Sequence, residues 1–223
     1  MENKRFAVIT GDIVGSSKLN GEQKRLMIEA VKTGFARVQE ISGNETLLGY
    51  YFFRGDSFQG VLVNPKYALK AALAIKTALR TEFPHQRKKE ALDARIAIGI
   101  GSIDNLSKEI PGTGNGEAFL LSGLTLDKMK PRQRLIIVTS NSAINSELVA
   151  ECAMADAIIS QWAVQSAEAV YLSLKGLTLE QIAESSGISP IAAHYRLEKA
   201  GFFAFMQWES RWMELLNLLS PGT

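Results

Sequence analysis

Asp12 and Asp56 each follow a glycine at the end of an apolar run, as Gly11-Asp12 and Gly55-Asp56. Brought side by side at the ends of two strands, such carboxylates make a hard, oxygen-lined site that suits magnesium or manganese, and therefore a nucleoside triphosphate. The loop Ile13-Val14-Gly15-Ser16-Ser17 leads from the first of these runs into a helix, where free backbone N–H groups hold anions and the hydroxyls of Ser16 and Ser17 add donors. Each residue also has an ordinary use, because Gly-Asp is a common turn dipeptide and serines cap helices.

The elements that must position these groups follow from period. Phe6 to Gly11 reads as a buried strand, and Met27, Ala30, Val31, Phe35 and Val38 recur at helical spacing after it. Leu47–Phe53 and Ser57–Val63 read as two strands joined by a hairpin turn at Arg54-Gly55-Asp56. An alanine-rich helix is expected over Tyr67–Leu79, a strand over Leu92–Gly101, a helix from about Glu117 to Met129 and a last strand over Leu135–Val138. The order β-α-β-β-α-β-α-β is that of a ferredoxin-like core with an addition, an α+β fold. In the fourth strand Leu92, Ala94, Ile96, Ile98 and Ile100 share the face to be packed by helices. Arg95, Ala97, Gly99 and Gly101 share the other, where small side chains leave room for a ligand or a second subunit, unless that face simply has no role.

Composition narrows the class. With 46% hydrophobic residues in 223, the chain can bury one large core or two modest ones. A formal charge of +2 gives no global signal for nucleic acid or anionic lipid. One cysteine, Cys152, excludes an internal disulfide or a cysteine-based zinc site and fits a reducing cytoplasm, and His85 and His194 are the only histidines. The N-terminal apolar run is cut short by an aspartate, so neither a signal peptide nor a membrane span is expected.

Ile9-Thr10-Gly11-Asp12-Ile13-Val14-Gly15-Ser16-Ser17 resembles the first-strand metal motif of class III nucleotidyl cyclases, and Arg54-Gly55-Asp56-Ser57-Phe58 resembles their hairpin metal motif. Ala94 to Gly101 is similar to the family strand before the active-site loop, and Gly116-Glu117-Ala118-Phe119 to the start of the next helix, so the likeness spans roughly residues 5 to 140. The resemblance implies a nucleotidyl cyclase-like domain that holds Mg or Mn through Asp12, Asp56 and the Ile13 carbonyl, with a purine nucleoside triphosphate as ligand. It also implies an asparagine and an arginine where this chain has Leu120 and Leu124, a purine-selecting lysine where it has Phe52, and a partner carboxylate where it has Thr113. Groups that act mainly in the transition state are thus missing, and their loss removes rate more than ground-state binding. Arg54 is a candidate to meet phosphate in place of a missing family group, although an arginine beside a turn is most often solvated. The loop Pro111 to Gly116 lacks the lysine and context of a P-loop and reads as a flexible connection. Lys128, Lys130, Arg132 and Arg134 cluster near the last strand, where they either touch phosphate or, the reading favoured, form a solvated edge that discourages sheet pairing.

Composition changes after about residue 157. Thr178 to Gly187 reads as a capped helix with a glycine stop, and Ser189-Pro190 opens another, the requirements of a helix-turn-helix. Leu177 to Gly201 resembles the helix-turn-helix of sigma-factor region 4 and LuxR-type proteins. Were it to read DNA, the second helix would present Ser189, Ala192, Ala193, His194 and Arg196 to bases and Lys199 to phosphate. Against this, residues 161–223 hold four basic residues and six glutamates, which equally fits a unit for protein contacts. In the last helix Phe205, Trp208, Trp212, Leu215 and Leu219 form one stripe, for the core or for a dimer partner. The two-part organisation, 1–156 and 157–223, resembles the SatD family, which implies a cytoplasmic bacterial setting. The expectation is a DNA-binding regulator, a homodimer, whose cyclase-like domain binds a metal-nucleotide. The alternatives are an active cyclase or nucleotidyl transferase using two metals, and a non-catalytic adaptor.

Overall fold

In the computed structural model residues 4–53, 55–83 and 91–219 are described. The chain runs β1 (Phe6–Ile13), α1 (Gly21–Ser42), β2 (Leu47–Phe53), β3 (Ser57–Leu62), α2 (Ala68–Glu82), β4 (Ala94–Gly101), a short ribbon of β5 (Asn105–Leu106) and β6 (Gly114–Asn115), α3 (Glu117–Lys128) and β7 (Leu135–Val138). Five helices follow: α4 (Ser142–Ile159), α5 (Val164–Leu174), α6 (Leu179–Ser186), α7 (Pro190–Lys199) and α8 (Phe202–Leu219). The main sheet has the order β2-β3-β1-β4-β7, antiparallel except for the parallel β4–β7 pair. Its first four strands have the ferredoxin-like arrangement expected from the element order, with β7 added at one edge.

Helix α1 starts at a capping box: the Asn20 side chain accepts from the Gln23 amide, 2.9 Å, and Gln23 accepts from the Asn20 amide, 3.0 Å. Its buried stripe, Met27, Ala30, Val31, Phe35 and Val38, packs with α2 on the sheet face formed by Ala7, Ile9, Ile96, Ile98 and Ile100. The opposite face is covered. Helix α3 lies across β1 and β4 there, with buried Ser122 hydrogen-bonded to Thr10 at 2.9 Å. The small residues of β4 admit this helix rather than a ligand or a second subunit. A Cβ on Gly99 would stand 2.6 Å from the Ser122 amide nitrogen, and nearer still to the Ala118 carbonyl. The segment expected to be a flexible connection, Pro111 to Gly116, supplies β6 of the β5–β6 ribbon, with Gly112 closing on the backbone of Tyr50.

Helix α4 is capped by Asn141, whose side chain accepts from the amides of Ala143 and Ile144. It continues to Ile159, so the change of composition near residue 157 falls in its last turn. The apolar core passes without a break from β1 into α8. The α8 stripe is buried inside the chain, where the Trp212 indole donates to the Pro65 carbonyl, 3.0 Å, and Trp208 to Glu151, 2.6 Å. That stripe is therefore spent on the core and is not available to a dimer partner; Met206 and Met213, beside it, are exposed. Helix α5 packs on α2 and meets the end of α1: Tyr171 donates to Glu40, 2.6 Å, Lys175 pairs with the same carboxylate, 2.9 Å, and Arg37 lies over the Tyr171 ring. No helix among the described residues is long and apolar enough to cross a membrane.

Candidate functional site

Strand β1 continues two residues past Gly11, so Asp12 lies within the ladder rather than in the turn. There it stands directly opposite Ser57 on β3 and Arg95 on β4. Opposed residues on one face of an antiparallel pair bring their side chains together. Arg95 accordingly grips Asp12 with both arms, Nε donating to Oδ1 at 2.9 Å and Nη2 to Oδ2. That hydrogen bonding, with the charges of Asp12 and Asp127, outweighs burial and holds the guanidinium pKa above its usual value. Arg95 is the single charge in a strand otherwise made of Ile, Ala and Gly, which was the available signal for its role.

This pair forms one wall of a cavity of about 290 Å3. The loop Ile13–Gly15 and Met129, Pro131 and Arg134 of the segment before β7 line the remainder. The basic cluster Lys128–Arg134, expected as a solvated edge, thus borders the cavity through Arg134. Asp93 ties the cavity together: its carbonyl accepts from the Val14 amide, 2.9 Å, and its carboxylate meets Arg134 at 3.3 Å. It also accepts from the buried Lys76 ammonium, 2.7 Å. Burial pushes the Asp93 carboxyl up, but Lys76, the Ala94 amide and Arg80 outweigh it and leave the pKa below the ordinary value. On the other side of β7, Asp156 accepts from the amides of Arg134, 2.6 Å, and Leu135, fixing the backbone on which Arg134 stands.

Asp56 opens onto a different cavity, about 280 Å3, with Ser16, Ser17, Gly55 and, from α1, Lys24, Met27 and Ile28. Its carboxylate accepts from the Ser16 hydroxyl and, at 3.4 Å, from Ser57, and its carbonyl accepts from the Ile13 amide, 3.1 Å. Between the two cavities Gly15 takes a left-handed conformation, φ 75°, which turns the chain from β1 toward α1. The Ile13 side chain is buried in the core. Arg54 lies outside the described residues.

A divalent ion would need Asp12, Asp56 and the Ile13 carbonyl to converge. In this arrangement the two carboxylates line separate cavities, and both oxygens of Asp12 already accept from Arg95. Among the described residues no three His, Cys, Asp or Glu side chains group so as to hold a metal ion. As placed, both Asp12 oxygens accept from Arg95, so a divalent ion at Asp12 would have to displace that guanidinium. Leu120 and Leu124, where the resemblance calls for asparagine and arginine, stand exposed on α3 and bring no polar group to either cavity.

In the C-terminal helices, Thr178 caps α6 in a capping box with Gln181, Gly187 ends α6 in the left-handed region, and Ser189 caps α7 through the Ala192 amide, 3.2 Å. Of the residues expected to face DNA, Ala193 does not: it is 0% exposed, in the core, because α7 turns that side onto its neighbours. Ala192 is half-buried, Arg196 reaches toward Glu168 at 3.9 Å, and Ser189, His194 and Lys199 are exposed. The outward face also carries two residues the sequence reading passed over, Ile191, 82% exposed, and Tyr195, 61%. Their i, i+4 spacing was the signal.

No protein-family model matches the chain, and no curated protein matches it. Among solved structures it is similar to the monomeric guanylyl cyclase domain of the RhoGC fusion protein from the fungus Blastocladiella emersonii, with 16% identity, 58% of this chain and 78% of that one covered, and a TM-score of 0.42. It is also similar to adenylate cyclases from Trypanosoma brucei in their monomeric state, with 16% identity, 68% and 79% covered, TM-score 0.44. A third is an adenylate/guanylate cyclase/hydrolase from Silicibacter pomeroyi, with 20% identity, 68% and 82% covered, TM-score 0.44.

Proposed function

We propose that this chain is a nucleotide-responsive regulatory protein, whose sheet end binds the phosphates of a purine nucleoside triphosphate and whose C-terminal helices, from about residue 157, report the binding to a macromolecular partner. The observation that carries the reading is the meeting of two guanidiniums, Arg95 and Arg134, with the Val14–Gly15 backbone at one cavity. Guanidiniums recognise phosphate through their charge and the N–H donors that Asp12, Asp93 and the Pro131 and Gln133 carbonyls leave over, and further cations, Lys128, Lys130 and Arg132, stand in the segment that leads to Arg134. We assign the rest of the ligand to the second cavity, which Ser16, Ser17 and Lys24 line.

Helix α1 provides the link. It begins beside the Ser16–Ser17 loop and ends at the Glu40 contacts with Tyr171 and Lys175, a rod of 22 residues and roughly 33 Å. A ligand that shifts the start of α1 is thereby able to bias α5 and, through it, the α6–α7 pair, which we read as a helix-turn-helix. Its charge favours a protein partner over duplex DNA: three of the four cations in residues 161–223 are engaged by glutamates, and Ile191 and Tyr195 add apolar surface to the exposed face.

Isothermal titration with ATP and GTP, with HPLC of the same mixtures, tests this reading. Binding that weakens by about tenfold in Arg134→Gln, without product, is expected from loss of one charged hydrogen-bonding group. Product formation would restore the enzyme, and no binding would remove the nucleotide from the account.

A further inference from the structure

Helices α4 and α8 enclose a further cavity of about 320 Å3, a volume at the small end of ligand sites, which run to roughly 300–1,000 Å3. Its walls are Met154 and Ile158 from α4 and Ala204, Phe205 and Trp208 from α8. Each pair spaced i, i+4 faces the same way along its helix, which is why the two stripes meet across the gap. The floor is braced. Phe205 stands edge-on to Trp162, ring centroids 5.8 Å apart, and the Trp162 indole donates to the Ala200 carbonyl at 2.8 Å. At Gly201 the chain comes so close to α4 that a Cβ would lie 2.8 Å from Ile158 Cγ2. The other side is open, and Met154 stands there 61% exposed.

The charges at this cavity have one sign in excess. The Trp208 indole donates to Glu151 Oε2 at 2.6 Å, which fixes a carboxylate at the edge of the aromatic wall. Glu151 Oε1 accepts from no group among the described residues. Arg211, also in the lining, is engaged by two carboxylates, Glu147 at 2.6 Å and Glu214 at 2.9 Å. One cation thus stands among three carboxylates. We propose that this cavity binds a small aromatic cation, its rings among Met154, Ile158, Phe205 and Trp208 and its charge beside Glu151. Apolar rings gain from leaving water against these side chains, and a positive charge is attracted both by aromatic faces and by a carboxylate. An anion of the same shape meets the carboxylates instead. None of the lining residues borders either phosphate cavity, and the ligand is opposite in charge to a nucleotide, so the two sites are tested separately.

The test uses the full chain and three bicyclic probes of similar shape: N-methylquinolinium as the cation, 1-methylnaphthalene as the neutral form and 1-naphthoate as the anion. Affinity is read by isothermal titration, and position by the indole N–H resonances of Trp162, Trp208 and Trp212. The cation is expected to bind about tenfold tighter than the neutral probe and tighter still than the anion, and to move the Trp208 resonance most. Glu151→Gln keeps an oxygen for the indole and removes the charge; it should weaken the cation by about tenfold and leave 1-methylnaphthalene unchanged. Ala204→Phe, at an exposed position of the lining, fills the cavity and should abolish binding of both. Anion and cation bound equally by the wild type would overturn the proposal, and that comparison needs no substitution. So would no binding of the cation at all, or cation binding that survives in an Ala204→Phe protein folded by circular dichroism. A dimer of the wild type that is lost in Ala204→Phe would give the groove to a second copy and overturn it too.

Discussion

Replacing Asp93 by asparagine isolates the electrostatics beneath the candidate site. The Lys76 side chain is 2% exposed, and its ammonium donates to Asp93 at 2.7 Å and to the Ala94 carbonyl at 2.6 Å. Asp93→Asn keeps an oxygen at that position but removes the charge, leaving the buried ammonium with only the more distant carboxylate of Asp156. Breaking a buried pair in this way costs about 3–5 kcal/mol, a large part of the 5–15 kcal/mol that holds a typical fold together. Lys76→Met should cost less, because the methionine fills the space of the lysine stem while Asp93 keeps Arg134 and the Ala94 amide. The double variant buries no ion and should be more stable than Asp93→Asn alone. The assay is urea unfolding followed by tryptophan fluorescence and circular dichroism, read as a shift in midpoint at unchanged m-value. The sign with pH follows from the depressed Asp93 pKa: its contribution is present above the unfolded carboxyl pKa of about 3.9 and is lost as pH falls through the lower folded value. Asp93→Asn should therefore flatten the stability profile in that acid window. A cost under about 1 kcal/mol, or a double variant weaker than the single, would refute the reasoning.

Gly99→Ala should destabilise by about 1–3 kcal/mol, measured by thermal unfolding, since its Cβ meets the α3 backbone and not a movable side chain. Trp212→Ala should cost about 3–5 kcal/mol in the same assay, through the cavity it leaves and the indole bond to Pro65 that it removes. Cys152, buried and pushed up to about 12, should react with a thiol reagent such as DTNB only at the rate of unfolding; prompt labelling of the native protein would contradict its placement. Fluorescence anisotropy with a labelled random duplex should show no binding tighter than about 10⁻⁴ M at physiological salt, given the acidic balance of the C-terminal helices.

The strands and the first two helices were legible because their periods are strong: Leu135–Val138 forms β7 over the expected residues, and Met27, Ala30, Val31, Phe35 and Val38 are the buried stripe of α1. Helix α4 is not legible in the sequence, although Ile144, Leu148, Cys152, Ala155 and Ile159 recur at helical spacing, because alanines and small polar residues between them blur the stripe. From sequence the face of Gly99 and Gly101 fits an open surface or one with no role. Glycine signals close approach of something, and only the fold says that it is α3. The site divides in the same way. Asp12, Asp56, Ser16 and Ser17 stand out as turn and loop chemistry, but the partner of Asp12 lies 83 residues away and is fixed by strand register. Arg134 joins the cavity only because β7 pairs with β4. The last stripe, Phe205 to Leu219, was visible as apolar, and what it covers depended on α8 folding back to Pro65.

Hydrogen exchange of the full chain, with and without ATP in EDTA, tests the central claim most directly. Slower exchange is predicted at residues 12–18 and 129–134, with a further change at the end of α1 and in α5, where Glu40 meets Tyr171 and Lys175. Unchanged exchange at 12–18 and 129–134, at ATP concentrations that saturate any calorimetric binding, would contradict a phosphate site at Arg95 and Arg134.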